Sequence, residues 1–113
     1  MAQTSWTGEM RKGVMELCVL HLLAQQSGYG YQLAQSLAAY PSLTLKESTL
    51  YLMLARLEKD GLLSVTLQAS ARGPKRRYFT LNTDGRARLA AMSTFWSEFS
   101  RDAAQLLGQE PRS

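Results

Sequence analysis

The chain has 113 residues, 45% of them hydrophobic and 19% charged, with a formal net charge of +4. That is enough for one domain with an arm and a buried core, and too apolar for a disordered tail. A single cysteine and a single histidine exclude an internal disulfide framework and the usual zinc sites, and the longest apolar run, Leu17 to Ala24, is interrupted by His21 and too short to span a bilayer.

Residues 1–8 are polar and end in glycine, and are expected as a flexible N-terminal arm. From Glu9 to about Gln26 the chain reads as a helix, apolar nearly all round from Leu17 to Leu23, which predicts burial on more than one side. Cys18 and His21 fall in that stretch and read as a buried inert thiol and a core histidine. Ser27-Gly28 ends the helix. A second helix, about Gly30 to Ala39, places Leu33 and Leu37 on one face and closes at Tyr40-Pro41, since the residue before proline is pushed out of the helical region.

Thr44 and Glu47 have the spacing of a capping box, so a third helix starts with its N-cap between Thr44 and Lys46. It carries Leu50, Met53, Leu54 and Leu57 on one face and stops at Asp60-Gly61, where glycine is the expected terminator. The period then falls to two. Leu63, Val65 and Leu67 alternate with polar residues, and Phe79 and Leu81 alternate with Tyr78 and Thr80, predicting two antiparallel strands. Ala69 to Pro74 is the loop between them. Asn82 is a candidate N-cap for a last helix, about Thr83 to Leu107, roughly 35–40 Å long at 1.5 Å per residue.

Three helices followed by a basic hairpin describe a winged helix-turn-helix. The expected fold is mainly α (α+β), with a long C-terminal dimerisation helix. The expected division is residues 1–8 as arm, 9–82 as a DNA-binding winged helix-turn-helix, 83–108 as dimerisation helix and 109–113 as flexible tail.

Charge is concentrated in the second half. Between Lys46 and Arg88 there are nine basic residues (Lys46, Arg56, Lys59, Arg72, Lys75, Arg76, Arg77, Arg86, Arg88) against four acids (Glu47, Glu58, Asp60, Asp84). With its leucines in the core, the third helix presents Ser48, Tyr51, Leu52, Ala55, Arg56 and Lys59, and its first turn supplies Thr49 and free backbone N–H groups. Helix N-termini suit phosphate contact, and the first residues of a recognition helix reach base edges; the plainer reading is a solvated amphipathic face. Arg72, Lys75, Arg76 and Arg77 beside Gly73-Pro74 put like charges on one loop, which suits the phosphates flanking a groove. Arg77 and Tyr78 lie where loop becomes strand, so one of them is expected to be structural. Tyr29 and Tyr31 open the second helix; one is expected to reach a phosphate and the other to pack.

In the last helix Leu89, Met92, Trp96, Phe99, Ala103 and Leu106 are spaced 3-4-3-4-3, an a/d seam. A protruding helix would leave that stripe wet, so a partner surface is expected. The simplest is the same helix, or the first helix with Met10, Val14 and Leu17, of a second subunit about a two-fold axis. Two symmetry-related copies of Trp96, with Met92 beside them, would also leave a slot for a flat aromatic molecule. No P-loop, nucleophile elbow, paired carboxylates or metal-ligand cluster is visible, so no catalytic residue, cofactor or metal is expected. No basic stretch followed by an apolar run opens the chain, so a cytoplasmic protein without membrane contact is expected.

Gly28-Tyr29-Gly30-Tyr31-Gln32-Leu33, the string Ser48-Thr49-Leu50-Tyr51 with Leu54 and Arg56-Leu57-Glu58-Lys59-Asp60-Gly61-Leu62, and Gly73-Pro74-Lys75-Arg76-Arg77-Tyr78-Phe79-Thr80-Leu81 with Gly85 resemble the PadR family of bacterial transcriptional regulators over about Met10 to Leu107. The resemblance implies a winged helix-turn-helix homodimer that represses transcription from a roughly palindromic double-stranded operator, with one long C-terminal helix. In similar multidrug-binding members a tryptophan of that helix stacks on planar compounds between subunits, and Trp96 falls at the matching place. Ser48 stands where the family usually has glycine, and Leu52 where it usually has proline, so the family's operator preference does not carry over. The alternative from a different class is a winged-helix protein-interaction module that does not bind DNA.

Overall fold

The computed structural model describes residues 5–71 and 73–109. Four helices, α1 (Ser5–Gln25), α2 (Gly30–Ala38), α3 (Glu47–Lys59) and α4 (Thr83–Leu106), surround a small sheet of β1 (Gly28–Tyr29), β2 (Leu63–Gln68) and β3 (Arg76–Leu81). The strands are antiparallel in the order β1-β3-β2. The long pair runs in register from Leu63 opposite Leu81 to Gln68 opposite Arg76, and β1 adds Gly28 opposite Phe79 and Tyr29 opposite Tyr78. Among the described residues, no helix is long and apolar enough to cross a membrane.

One apolar core holds the head together. Val19, Leu20 and Leu23 of α1, Leu37 of α2, Leu50, Leu54 and Leu57 of α3 and Phe79 of β3 are fully buried in a single cluster. The leucine face expected of α3 is therefore the face it buries. Along β2 burial fades outward: Leu63 is buried, Val65 is half-buried and Leu67 is exposed. The strands leave the core as they approach the loop, and the hairpin projects as a wing.

Several sequence expectations are corrected. The first helix begins at Ser5, so residues 5–8, expected in the loose arm, are helical; the rest of that arm, and most of the expected 109–113 tail, lie outside the described residues. The third helix is capped at Lys46 without a side-chain bond. Thr44 instead donates its hydroxyl to the Tyr40 carbonyl at 3.5 Å, so the capping-box spacing goes unused. β1 was not expected, because two residues carry no period. His21 is exposed and Cys18 only partly buried: the helix is apolar around its circumference, yet the head covers only one side of it.

The junction of head and rod is fixed by Asn82. Its Oδ1 accepts from the Gly85 N–H at 2.8 Å, which caps α4, and its Nδ2 donates to the Gly61 carbonyl at 2.9 Å. Gly85 is buried where an added methyl would meet the Leu62 carbonyl and the Leu81 side chain. Helix propensity favours alanine over glycine by about 1 kcal/mol, but the backbone carbonyl cannot yield as a side chain could. Gly85→Ala is therefore expected to destabilise the fold by about 1–3 kcal/mol, the usual cost of overpacking, seen as a lower urea midpoint at unchanged slope.

Candidate nucleic-acid interface

The face of α3 opposite its buried leucines carries Ser48, Leu52, Ala55 and Lys59, all exposed. At about 100° per residue these four form one stripe along the helix. Leu52, at 74% exposure, stands out on it. Tyr51 and Glu58 lie on one flank of the stripe, Thr49 and Arg56 on the other, about 160° apart.

Each flank is braced by an ion pair. Arg77 of β3 donates to Glu58 at 2.6 Å, fastening the wing to α3. Arg56 pairs with Glu16 of α1 on the opposite side. Both pairs are partly exposed, so each adds at most about 1 kcal/mol. Their larger effect is on charge. Arg56, expected to be free for phosphate, and Arg77, which with Tyr78 was the candidate for a structural role, are both engaged within the molecule. Lys46, Lys59, Lys75 and Arg76 form no ion pair among the described residues. Arg72 lies outside the described residues.

The wing side is lined with tyrosines. Tyr29 stacks on Tyr31 with ring centres 5.7 Å apart, and Tyr78 meets Tyr29 edge-on at 5.1 Å. The Arg76 guanidinium lies 5.2 Å from the centre of the Tyr31 ring, within cation–π range. Tyr51 rests against Gly30, where any side chain would displace its ring. Together Tyr29, Gly30, Tyr31, Tyr51, Arg76 and Arg77 surround a recess of about 440 Å³ beside the stripe. The glycine-tyrosine repeat thus has a steric purpose: Gly30 admits Tyr51, and Gln32 Oε1 accepts the Tyr29 N–H at 2.9 Å to start α2. Tyr29 is the more enclosed by rings, and Tyr31 is the one that carries the free arginine.

The rod is only partly covered. Leu89 and Met92 pack on the head and Ala103 is half-buried, while Trp96, Phe99 and Leu106 are exposed, Trp96 at 41%. Of the first-helix residues expected with them, Met10 is exposed and Val14 and Leu17 are half-buried. Val14, Leu17, Met92, Trp96 and Phe99 meet along an almost wholly apolar groove of about 410 Å³. Phe95 belongs to the same groove and was not singled out from sequence, because it falls outside the a/d positions. It stacks on Phe99 at 5.4 Å and is 65% exposed. Its i,i+4 spacing to Phe99 is the signal that marked it.

Three helices, a hairpin wing fastened to the third, and a cationic face lined by tyrosine define a winged helix-turn-helix regulator that binds DNA. The sequence profile of the transcriptional regulator PadR-like family matches residues 19–91, and the chain belongs to that family. It is similar to a PadR-like transcriptional regulator from Bacillus cereus, with 34% identity over 90% of this chain and 99% of that one and a TM-score of 0.77. A PadR family transcriptional regulator from Eggerthella lenta superposes with a TM-score of 0.80 at 29% identity, covering 91% of this chain and 89% of its own. An uncharacterized protein of Lysinibacillus sphaericus is 29% identical over 89 residues, 77% of this chain and 82% of that protein.

On the other side of the rod, Cys18 shares an apolar recess of about 400 Å³ with Leu22, Leu37, Tyr40 and Trp96. Burial pushes its thiol above the usual range. Thiolate is the reactive form. Alkylation by iodoacetamide is therefore expected to be slower than for free cysteine at neutral pH, with a rate that keeps rising above pH 9; a pH–rate profile checks this.

Proposed function

We propose that the chain is a homodimeric repressor that docks the two α3 helices of a dimer into successive major grooves of a roughly palindromic operator. The observation that carries this reading is the side-by-side layout of an exposed stripe on α3, uncharged from Ser48 to Ala55 and ending in Lys59, and a wing whose Lys75 and Arg76 have no acidic partner among the described residues. The stripe suits base edges, and the wing, with Tyr29, Tyr31 and Lys46, suits the phosphates that position it. Ser48, Thr49, Tyr51 and Lys59 complete the contact set, and Arg56 and Arg77 act mainly by holding α3 between α1 and the wing.

The apolar groove between α1 and α4 supports a two-fold interface. Met10, Val14 and Leu17 of one copy would cover Leu89, Met92, Trp96, Phe99, Ala103 and Leu106 of the other. A flat aromatic effector entering between the two copies of Trp96, beside Met92, would alter the separation of the heads. An operator that fixes that separation then loses affinity by population shift. The role is one of regulation without catalysis.

Light scattering is expected to give twice the chain mass, and titration with planar cationic dyes to quench Trp96. Duplex binding is expected to fall steeply with salt. Since each neutralised phosphate contributes about 0.9 to the slope of log affinity on log salt, changing Lys75 and Arg76 to alanine, which removes four cations from the bound dimer, should reduce that slope by about 3.6 while leaving the dimer intact. A wild-type protein that ignores every duplex at low salt, while still self-associating, would instead be an interaction module.

The stripe also bears on what is read. Its centre is Leu52 and Ala55, with no free arginine fork for guanine and no amide for adenine; the matching base feature is the thymine methyl. In a duplex selected from a random pool, deoxyuridine in place of a contacted thymidine should weaken wild-type binding about fourfold, on about 0.8 kcal/mol per buried carbon. The Leu52→Ala variant should lose much of that discrimination in a fluorescence anisotropy titration.

A further inference from the structure

We propose that the groove between the N-terminal half of α1 and the start of α3 is a second seat for the DNA backbone, with Lys12 as its principal new contact. The inference rests on the DNA-binding reading above and extends it to a part of the molecule outside the helix-turn-helix and the wing.

The groove encloses about 890 Å³ and is lined by Arg11, Lys12, Lys46 and Arg56, with Thr49 and Leu52 of α3 on its far wall. No acid is among its described lining residues. Glu16, one turn beyond Lys12 on α1, is already engaged by Arg56. Arg11 is held in place: its Nη2 donates to the Thr44 carbonyl at 2.7 Å, and its Nε is buried without a hydrogen-bond partner among the described residues. It therefore contributes a fixed positive charge to the wall and secures the segment that carries Lys46. Lys12 is exposed and forms no ion pair among the described residues.

Helical spacing sets where Lys12 lies. It stands three and four residues before Met15 and Glu16, which share the face of α1 turned toward α3, since Met15 is in the core and Glu16 reaches Arg56. Lys12 thus continues that face one turn beyond the core. Val14 and Leu17 point elsewhere, into the apolar groove with α4.

Duplex geometry then gives the groove its occupant. A helix with its side chains is about 10–12 Å across and fills a major groove about 12 Å wide. Both sugar-phosphate backbones therefore pass along its flanks. On α3 one flank carries Tyr51 and the wing. The other carries Thr49 and Arg56 and opens into this groove. A reader with cations on one flank alone would leave the second backbone unmatched, and here the second flank is the larger and the more basic recess.

The test uses the full-length protein and a duplex taken from a random-sequence selection. Lys12→Ala is expected to lower the salt slope by about two, one contact being lost from each subunit of the bound dimer, to weaken binding to every duplex by a similar factor, and to leave sequence preference unchanged. Lys12→Arg should retain the wild-type slope. Neutral methylphosphonates placed singly along both strands should reveal a set of phosphates that matter to the wild type and no longer matter to Lys12→Ala, distinct from the set affected by Arg76→Ala. An unchanged slope in Lys12→Ala, or methylphosphonate effects confined to the phosphates that respond to Arg76→Ala, would overturn the proposal while leaving the DNA-binding reading intact. Absence of salt-sensitive duplex binding in the wild type would overturn both. Lys12 is exposed and alanine is a good helix former, so circular dichroism should show both variants folded.

Discussion

Leu50, Leu54 and Leu57 share one dry core with Val19, Leu20 and Leu23 of α1 and Phe79 of β3, and that burial decides which side of α3 is left for a partner. Each large side chain removed from water contributes about 1.5–3 kcal/mol. Turning α3 by one residue, about 100°, would expose leucines and bury one flank, either Thr49 and Arg56 or Tyr51 and Glu58. The helix is therefore held at a single rotation. The pairs Arg77–Glu58 and Arg56–Glu16 sit on its two flanks and resist rocking about that setting, at little net cost or gain because both are solvated.

The same constraint organises the surroundings. α1 lies under α3 on one side and against α4 on the other, so the head and the rod share a wall. Asn82 ties the first turn of α4 to the α3–β2 turn through Gly61, and Gly85 lets the two backbones close. Under the proposed function, a molecule wedged between rods would press on α1 and α4, elements continuous with the packing that seats α3. The coupling would need no separate relay.

Much of the fold was legible because its signals are local. The i,i+3/i+4 leucines of α3, the period-two runs of the strands, Gly61 as terminator and Asn82 as cap report physics that acts over one or two turns. The expectations that failed concern distant neighbours. Thr44 and Glu47 have capping spacing, yet the helix starts two residues later than a Thr44 cap would start it, and Thr44 bonds back to Tyr40. His21 lies in an apolar run but stays exposed, on the rim of the recess that α1 forms with α2 and α4. β1 is too short for any pattern and exists only because β3 offers it a free edge. The interface residues divide the same way: the basic wing stood out as a run of charge, whereas the engagement of Arg56 and Arg77 by acids 40 and 19 residues away left no trace in spacing.

Sequence alone determined that this chain makes three helices, a basic hairpin and a long amphipathic rod, because capping, periodicity and charge density are properties of neighbouring residues. The tertiary structure decided which cations stay available, that Gly30 makes room for Tyr51, that Phe95 joins the apolar groove, and that α1 brings Arg11 and Lys12 alongside α3. Those outcomes depend on which surfaces meet when the core closes, and a one-dimensional pattern does not contain the distance between its own remote parts.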